Sequence, residues 1–478
     1  MTLGVADYVV IIGYLAAITA FGSWFARFQK TTRDYFLTDR SVPWWGICFT
    51  IVATETSTLT FIGIPALAYA GNWTFLQLAI GYVIGRLLVS VLFIPAYFRG
   101  ELYTSYELLQ RRFGPRVKDL AAGIFLITRT FADGVRLFAT ALVISIVTQI
   151  PVPWTIVIIG AAMIIYTTRG GVAAVIWTDV VQMFVYIAGA GVVFFALLNL
   201  IPGGWADVWQ AGQAAGKFRV LDLSFDPTTT YTLWAGVLGG VALTLATHGT
   251  DQFLVQRLLS ARTARAAQTG LILSGFIVFA QFMLFLAIGV MLWRYYELYP
   301  LAAPLATNDA VLPTFVVTSL THGAAGFIVA AIVAAALSPS INSMAATTVN
   351  DFYAKYVNPG ADEPTLMRVS RIATVFWGVA QIAVALGAQW IPSVLETGLA
   401  VLSLAAGPVL GAFLVGVLSS RVGGGHMLAG IAAGFAALVP IWYFGLTGFT
   451  WYAFVGASVT AIVAHLAATM SPRAADTA

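Results

Sequence analysis

Long apolar runs, broken at a few points by polar residues, make up most of this chain. A membrane-spanning helix needs about 20 apolar residues, and we identify thirteen such segments in the 478 residues. By residue number, the predicted spans are 6–26, 42–70, 74–97, 118–148, 152–168, 172–201, 231–251, 267–294, 311–350, 366–389, 392–418, 427–446 and 449–469. The pattern therefore predicts an all-α polytopic membrane protein, with residues 1–478 forming one transmembrane domain.

Composition agrees with this pattern. Hydrophobic residues make up 60% of the chain and charged residues only 9%, which is too little polar surface to cover a soluble globule of this size. The N-terminal run has no positive stretch before it, so we expect a retained span and not a signal peptide. Cys48 is the single cysteine, which excludes an internal disulfide and predicts a buried, inert thiol.

Basic residues predict the orientation. Of 24 lysines and arginines, 18, Arg257 among them, fall in loops or the tail on one predicted side, three fall on the other side and three lie within spans. By the positive-inside rule the N-terminus is outside and the C-terminus inside. The net charge of +4 therefore reports topology and gives no reason to expect nucleic-acid binding. The outer loop at 202–230 includes WADVWQAGQAAGKF, which predicts a short surface helix.

Two of the predicted spans are interrupted at comparable places. The second contains ATETSTLTFIG at 53–63, and the seventh contains GGVALTLATHGTDQFLVQR at 239–257. If the first span is set aside, each of these leads a group of five spans, 41–201 and 231–418, and an odd number of spans gives the groups opposite topologies. Interrupted helices at matching positions of inverted repeats mark the midplane site of a secondary transporter. Residues 1–40 and 419–478 then add flanking helices.

Charged residues at mid-membrane depth are the first candidates for functional residues. Glu55, Arg86 and Arg129 each lie about a dozen residues into a span, roughly 18 Å deep. Arg129, Asp133 and Arg136 share one helical stripe. One hypothesis is a structural cluster in which Arg86 and Arg129 pair with Glu55 and Asp133. The other is that an arginine binds a substrate carboxylate, and the three arginines against two acids slightly favour an anion.

Two further titratable residues lie inside predicted spans. Asp179 could be neutralised by a bound cation or by a neighbouring arginine. His248 lies beside the second interruption, where it is either a hydrogen-bonded core histidine or a proton carrier.

Four stretches carry a family resemblance: GGVAAVIWTDVVQ at 170–182, DQFLVQRLLSA at 251–261, NSMAATTVNDFY at 342–353 and GPVLGAFLVGVL at 407–418. Together with the span pattern they make the chain similar to the sodium/solute symporter family, which includes sodium/glucose, proline and sialic acid carriers. The resemblance implies the leucine-transporter fold, with two inverted five-helix repeats, flanking helices and alternating access.

The resemblance also implies a sodium site made by the carbonyls of Ala53 and Thr56 with Ile332 opposite. Its two hydroxyl positions fall on Ala335 and Ala336, where no side-chain oxygen is available. Thr56, Glu55 or water would have to replace them, or the site has been lost.

A second sodium site that the resemblance implies is better supported. It would use Asp179 with Ser338, although the position after Ser338 is a proline.

The resemblance places solute ligands on the first, second, third and sixth core helices. Some sialic acid carriers bind the substrate carboxylate with an arginine of the third helix, which strengthens the expectation of an acidic substrate. With Glu55 added from the polar run, the predicted solute-binding residues are Glu55, Ser57, Thr60, Gln77, Arg129, Asp133, Arg136, Thr244, Thr247 and His248.

These observations predict sodium-coupled uptake of a small polar organic solute, such as a carboxylate or sugar-like acid, across a bacterial inner membrane. The expected partners are the solute, sodium and the bilayer, and the protein is expected to be a monomer or a weak oligomer. The alternative is a carrier of the same fold that is proton-coupled through Glu55 or His248, or uncoupled.

Two other function classes are weaker. A membrane receptor would need an output domain, and the tail SPRAADTA contains none. A membrane enzyme would need catalytic groups, but the four histidines are scattered and the sequence has neither HExxH nor a nucleophile elbow. We therefore do not expect an enzyme.

Overall fold

The computed structural model describes residues 3–100, 102–301, 304–305, 307–337, 339–388 and 394–470. The described chain is helical throughout and contains no β-strand beyond one isolated bridge. Its α-helices are α1 (Val5–Trp24), α2 (Thr32–Leu37), α3 (Trp44–Glu55), α4 (Thr58–Ala70), α5 (Leu76–Leu92), α6 (Ile94–Tyr97), α7 (Tyr106–Phe113), α8 (Pro115–Thr148), α9 (Val152–Leu200), α10 (Gly204–Ala214), α11 (Gly240–Gly249), α12 (Gln252–Leu259), α13 (Ala264–Leu298), α14 (Val311–Ser319), α15 (Ala324–Ala336), α16 (Ile341–Thr347), α17 (Glu363–Ala388), α18 (Val394–Leu418), α19 (Gly424–Tyr443) and α20 (Tyr452–Met470).

Within the described residues, nine helices are long and apolar enough to cross a membrane, or ten if α3 and α4 count as one bent span. The difference from thirteen has local causes. The fifth and sixth predicted spans form the single helix α9, the seventh contains only a short apolar helix, and residues 392–393 of the eleventh lie outside the described chain. The count of thirteen and the orientation of the termini remain predictions.

The predicted interruption of the second span is confirmed. Helix α3 ends at Glu55, α4 begins at Thr58, and the two helices are bent by 64°. The polar run explains the restart, because the Ser57 hydroxyl accepts a hydrogen bond from the Thr60 amide (3.3 Å) and so caps the new helix. The break leaves helix ends and hydroxyl groups in the middle of an apolar bundle.

The seventh span is also interrupted. A π-helical segment, Ala235–Gly239, leads into α11, which ends at Gly249. Asp251 then caps α12, since its Oδ1 accepts a hydrogen bond from the Phe253 amide at 2.9 Å. A parallel bridge between Val42 and Ala261 joins the chain just before α3 to the chain just after α12. The two broken helices are therefore tied together at one end.

Helix α9 is 49 residues long, about 74 Å at 1.5 Å per residue, and this exceeds any single crossing of a ~30 Å hydrocarbon core. The necessary change of direction occurs at Gly171, with φ 57° and ψ −154°. A side chain is strongly disfavoured in that conformation, and a Cβ at Gly171 would also press on the Tyr35 carbonyl. Gly171 thus divides α9 near the predicted boundary between spans.

The core forms where the broken helices meet their neighbours. Helix α13 packs along both α3 and α4, and α5 packs along α11. Gly81 permits this approach, because a Cβ there would overlap the carbonyl oxygen of Gly236 in the π-helical segment and press on Gly240 at the start of α11. Cys48 is buried, as expected. Large apolar side chains such as Phe131 and Phe276 are at least half exposed, which suits a surface that faces lipid.

The predicted surface helix in the outer loop is confirmed as α10. Arg294 of α13 donates from Nε and Nη2 to the two carboxylate oxygens of Asp207, at 2.7 and 3.0 Å. Lys217 donates to the Tyr69 carbonyl at 2.7 Å. Both contacts hold the loop on the ends of core helices.

Candidate functional site

Eight charged side chains gather around the two helix breaks. They come from α3, α5, α8, α9 and α12 and from the break before α12, and they comprise four arginines and four acids: Arg86, Arg129, Arg136, Arg257, Glu55, Asp133, Asp179 and Asp251. The sequence count of three arginines against two acids left out Arg257, Asp179 and Asp251. With them the described cluster is balanced, so its net charge alone does not favour an anion.

Arg86 joins the two broken helices. Its side chain is fully buried, and its Nη2 forms an ion pair with Glu55 at the end of α3. The same nitrogen lies 3.4 Å from His248 Nε2 on α11. A guanidinium can only donate, so Nε2 accepts and Nδ1 carries the hydrogen that faces Thr247 Oγ1 at 2.9 Å. The predicted structural pairing of Arg86 with Glu55 is present, and His248 is a neutral core histidine in this arrangement.

Arg129 is paired with two acids. It forms an ion pair with Asp251, in the break before α12, and lies 3.5 Å from Asp133 one turn along α8. Asp133 also accepts a hydrogen bond from Ser340, whose hydroxyl is in turn contacted by Gln381 Nε2 at 3.0 Å. These bonds connect α8 to the second break and to α17.

Arg136 differs from the other three arginines. It forms no ion pair with the described residues. Its buried Nε and Nη2 have no hydrogen-bond partner among them, which is also true of Nε and Nη1 of Arg86 and of Nε of Arg129. The charges that act on it come from Asp133, Asp179, Arg129 and Arg257. It lies seven residues, about 10.5 Å of helix, from Arg129 on the same stripe. A partly buried guanidinium with unused donors is suited to an incoming oxyanion.

Asp179 lies against an arginine and two threonines. Its Oδ2 accepts hydrogen bonds from Thr50 Oγ1 (2.6 Å), Thr54 Oγ1 (3.3 Å) and Arg257 Nη2 (3.1 Å). Asp179 and Arg257 are both almost fully buried. Counting Arg257 as a loop residue was therefore wrong: α12 begins after the break and carries this arginine back into the bundle.

The other predicted sodium ligands surround the first break. The Ile332 carbonyl accepts a hydrogen bond from Thr58 Oγ1 at 3.0 Å. Thr56 Oγ1 accepts from Gln281 Nε2 at 2.7 Å and donates to the Val52 carbonyl. Ala53 and Ala335 are both buried. Ser338 lies outside the described residues, so its predicted pairing with Asp179 stays a prediction.

The remaining predicted solute residues fall into two groups. Ser57 and Thr60 stay partly accessible at the first break, and Thr247 is partly accessible beside His248, whereas Thr244 is buried. Gln77 is different, because its Nε2 donates to the Thr74 and Tyr231 carbonyls and its Oε1 accepts from the Asp222 amide. Its amide is fully used in holding the outer loop, so we leave Gln77 out of the proposed site.

Two of the stretches that carry the family resemblance, 251–261 and 342–353, are joined by hydrogen bonds at one end of the site. Gln256 on α12 donates to Asn342 Oδ1 at 2.9 Å and accepts from Ser343 Oγ at 2.6 Å. These bonds fix α12, and with it Arg257, against α16. Their partners are far apart in sequence, so the sequence alone gave no signal for the pairing.

The open space next to the second break is small. A pocket of about 70 Å³ is bordered by Thr128, Thr247, Thr250 and Asp251, whereas small-molecule sites usually measure about 300–1,000 Å³. Binding of an organic solute here requires movement of the surrounding helices.

Comparison with known proteins accords with this geometry. The sodium:solute symporter family matches residues 35–434. A sodium/sialic acid symporter of Aliivibrio fischeri is 30% identical over 98% of this chain and 94% of its own. A solved structure of a substrate-bound, Na⁺-coupled sialic acid symporter aligns over 98% of both chains, with a TM-score of 0.91 and 28% identity. A transporter of the nucleobase-cation-symport-1 family aligns at a TM-score of 0.60 and 15% identity, which shows a shared fold. The expected leucine-transporter fold is confirmed by these neighbours.

Proposed function

Because the chain belongs to the sodium:solute symporter family, we propose that it is a sodium-coupled importer of a small organic carboxylate, with a sugar acid such as sialic acid as the first candidate. It would work by alternating access, in which the binding site between two inverted repeats, 41–201 and 231–418, opens first to one side of the membrane and then to the other. Its membrane helices and family place it in the bacterial inner membrane as a transporter and not as an enzyme. The partly accessible polar residues at both helix breaks would line the solute path: Glu55, Ser57, Thr60 and Thr247, with the buried His248 directly beside Thr247.

The observation that carries this proposal is the guanidinium of Arg136, which forms no ion pair with the residues that the structure describes. Arg86, Arg129 and Arg257 each have an acidic partner, so their charges are already compensated. Arg136 has buried donors without a partner in the described chain, and a carboxylate can accept two of them in a bidentate contact. The ion pairs and hydrogen bonds of Arg129 and Asp133 would then hold α8 in place and so position Arg136.

Sodium has its best-supported place at Asp179. Thr50 and Thr54 add hydroxyl oxygens next to this carboxylate, and hard cations prefer oxygen ligands. A sodium ion here would share the carboxylate with Arg257, whose Nη2 lies 3.1 Å from Oδ2. Ser338 would add one more. The site formed by Ala53, Thr56 and Ile332 is weaker, because Ala335 and Ala336 supply no side-chain oxygen. A carboxylate that enters with one sodium ion adds no net charge to the balanced cluster.

Proton coupling is the second candidate, and the alanines at the first sodium site favour it. Its carriers would be Glu55 or His248. The position of Arg86 opposes His248 as the carrier, because a fixed positive charge beside the ring disfavours its protonated form. For Glu55 two effects compete, since burial favours the protonated carboxyl and Arg86 favours the carboxylate.

The test is uptake by purified protein in liposomes with an imposed gradient of sodium or of protons. Labelled sialic acid is the first probe, and unlabelled sugars, amino acids and carboxylates serve as competitors. We expect carboxylates to compete, an inward sodium gradient to drive uptake, and Asp179→Asn to abolish the sodium response. Arg265→Gln, a change at an exposed arginine, is the matched control. Uptake driven only by a proton gradient would replace sodium with proton coupling, and uptake that ignores both gradients would indicate a facilitator.

A further inference from the structure

A long apolar groove runs along the outside of the bundle, between α1, the end of α8 and the first part of α9. Its volume is about 760 Å³. It extends along α1 from Tyr8 to Ser23, about 22 Å, which is longer than the ~15 Å of hydrocarbon in one leaflet. The groove is therefore long enough for an extended acyl chain.

The threonine hydroxyls in the walls of the groove already donate hydrogen bonds to backbone carbonyls. Thr19 Oγ1 donates to the Leu15 carbonyl at 2.7 Å, Thr148 Oγ1 to the Ile144 carbonyl at 2.7 Å, and Thr155 Oγ1 to the Pro151 carbonyl at 3.4 Å. Because these hydroxyls bond to their own helices, the surface suits hydrocarbon and offers little to a polar ligand.

The two ends of the groove differ. At one end the Tyr8 hydroxyl donates to the Thr148 carbonyl at 2.7 Å and joins α1 to α8. At the other end lies Arg169, an exposed arginine with no hydrogen bond or ion pair among the described residues. Arg169 lies on the side whose loops hold most of the arginines. A basic residue at the mouth of an apolar groove is suited to the headgroup of an anionic lipid.

We propose that this groove binds one anionic phospholipid of the arginine-rich leaflet, with the headgroup at Arg169 and an acyl chain along α1 toward Tyr8. Val333 on α15 forms part of the groove floor. It directly follows Ile332, whose carbonyl is tied to Thr58 at the first helix break. The bound lipid thus contacts the helix that faces the candidate ion site and braces α15 from outside.

The experiment is native mass spectrometry of the purified full-length protein, titrated with phosphatidylglycerol or with phosphatidylcholine of the same acyl chains. We expect one tightly bound phosphatidylglycerol, preferred about fivefold, the factor for one arginine beside an anionic headgroup. Arg169→Gln should remove the preference, whereas Arg265→Gln, at an exposed arginine outside the groove, should keep it.

A second pair of variants tests the groove itself. Ala16 lines the groove and Ala17 does not, although both are exposed on α1. Ala16→Phe should prevent tight binding, and Ala17→Phe should leave it unchanged. Equal binding of the two lipids by the unmodified protein, or full preference in Arg169→Gln, would overturn the headgroup assignment. Unchanged binding in Ala16→Phe would overturn the groove assignment.

Discussion

Arg129 on α8 forms an ion pair with Asp251, the residue that caps α12 after the second helix break. The pair links a long, continuous helix to an interrupted one, and both side chains are largely buried. Breaking a buried pair by removing one partner leaves an uncompensated charge. The consequences of changing Arg129 should therefore differ from those of changing Arg136, which has no ion pair within the described part of the chain.

We predict that Arg129→Ala lowers the free energy of unfolding by about 3–5 kcal/mol, the usual result of breaking a buried ion pair. Arg136→Ala should lower the free energy of unfolding much less, because no partner among the described residues loses an ion pair. Thermal unfolding of the two purified variants in the same detergent measures the difference. Equal losses of stability would mean that Arg136 has a structural partner as well.

Glu55 and Arg86 provide a second test of pairing. Glu55→Gln should destabilise the protein, because Arg86 remains buried without a counter-charge. The double variant Glu55→Gln with Arg86→Met removes both charges and should recover most of the lost stability. Failure of the double variant to recover would show that Arg86 is held by partners other than Glu55.

The close approach of α5 to the seventh span predicts the result of adding a single methyl group. Gly81→Ala places a Cβ against the Gly236 carbonyl, and overpacking of this kind costs about 1–3 kcal/mol. Gly123 on α8 is the matched control, because a Cβ there meets no atom within 4 Å. Gly123→Ala should leave the unfolding temperature unchanged or raise it slightly.

The outer helix α10 gives a prediction for pH. Hydrogen bonds from Arg294 lower the pKa of Asp207, so this group stabilises the folded protein above its unfolded pKa and loses that contribution as pH falls through the lowered value. Asp207→Asn should be less stable than the unmodified protein at pH 7, and the difference should shrink in acid. If the unfolding temperatures of Asp207→Asn and the unmodified protein differ by the same amount at all pH values, the contribution of Asp207 is not ionic.

Much of the fold could be predicted from local sequence. The polar run at 53–63 predicted the first helix break because it interrupts an otherwise apolar span, and the structure adds that Ser57 caps the restarted helix. At the second break the predicted span ends at Asp251, and Arg257 is counted with the loop that follows. An aspartate before an apolar run is an N-cap signal, and it could have indicated that α12 re-enters the bundle.

The pairing within the site could not be predicted in the same way. Arg129 and Asp251 are 122 positions apart, and Asp179 and Arg257 are 78 apart. No local pattern selects such partners, which depend on how the helices cross. For this reason the sequence identified Arg129 and Arg136 together as solute ligands and left open whether the cluster with Arg86 is structural or substrate-binding. Among the described residues, Arg136 is the arginine of this cluster without an acidic partner.

The central claim is that Arg136 binds the carboxylate of the solute. The most direct measurement is calorimetric titration, in sodium buffer, of the unmodified protein, Arg136→Gln and Arg265→Gln with the strongest carboxylate competitor and with its uncharged amide. We predict that the unmodified protein and Arg265→Gln bind the acid at least tenfold more tightly than the amide, since a charge-assisted bidentate contact is worth about 1.5–3 kcal/mol. Arg136→Gln should bind both ligands equally weakly. If Arg136→Gln keeps the full preference for the acid, the carboxylate is bound elsewhere and the claim is wrong.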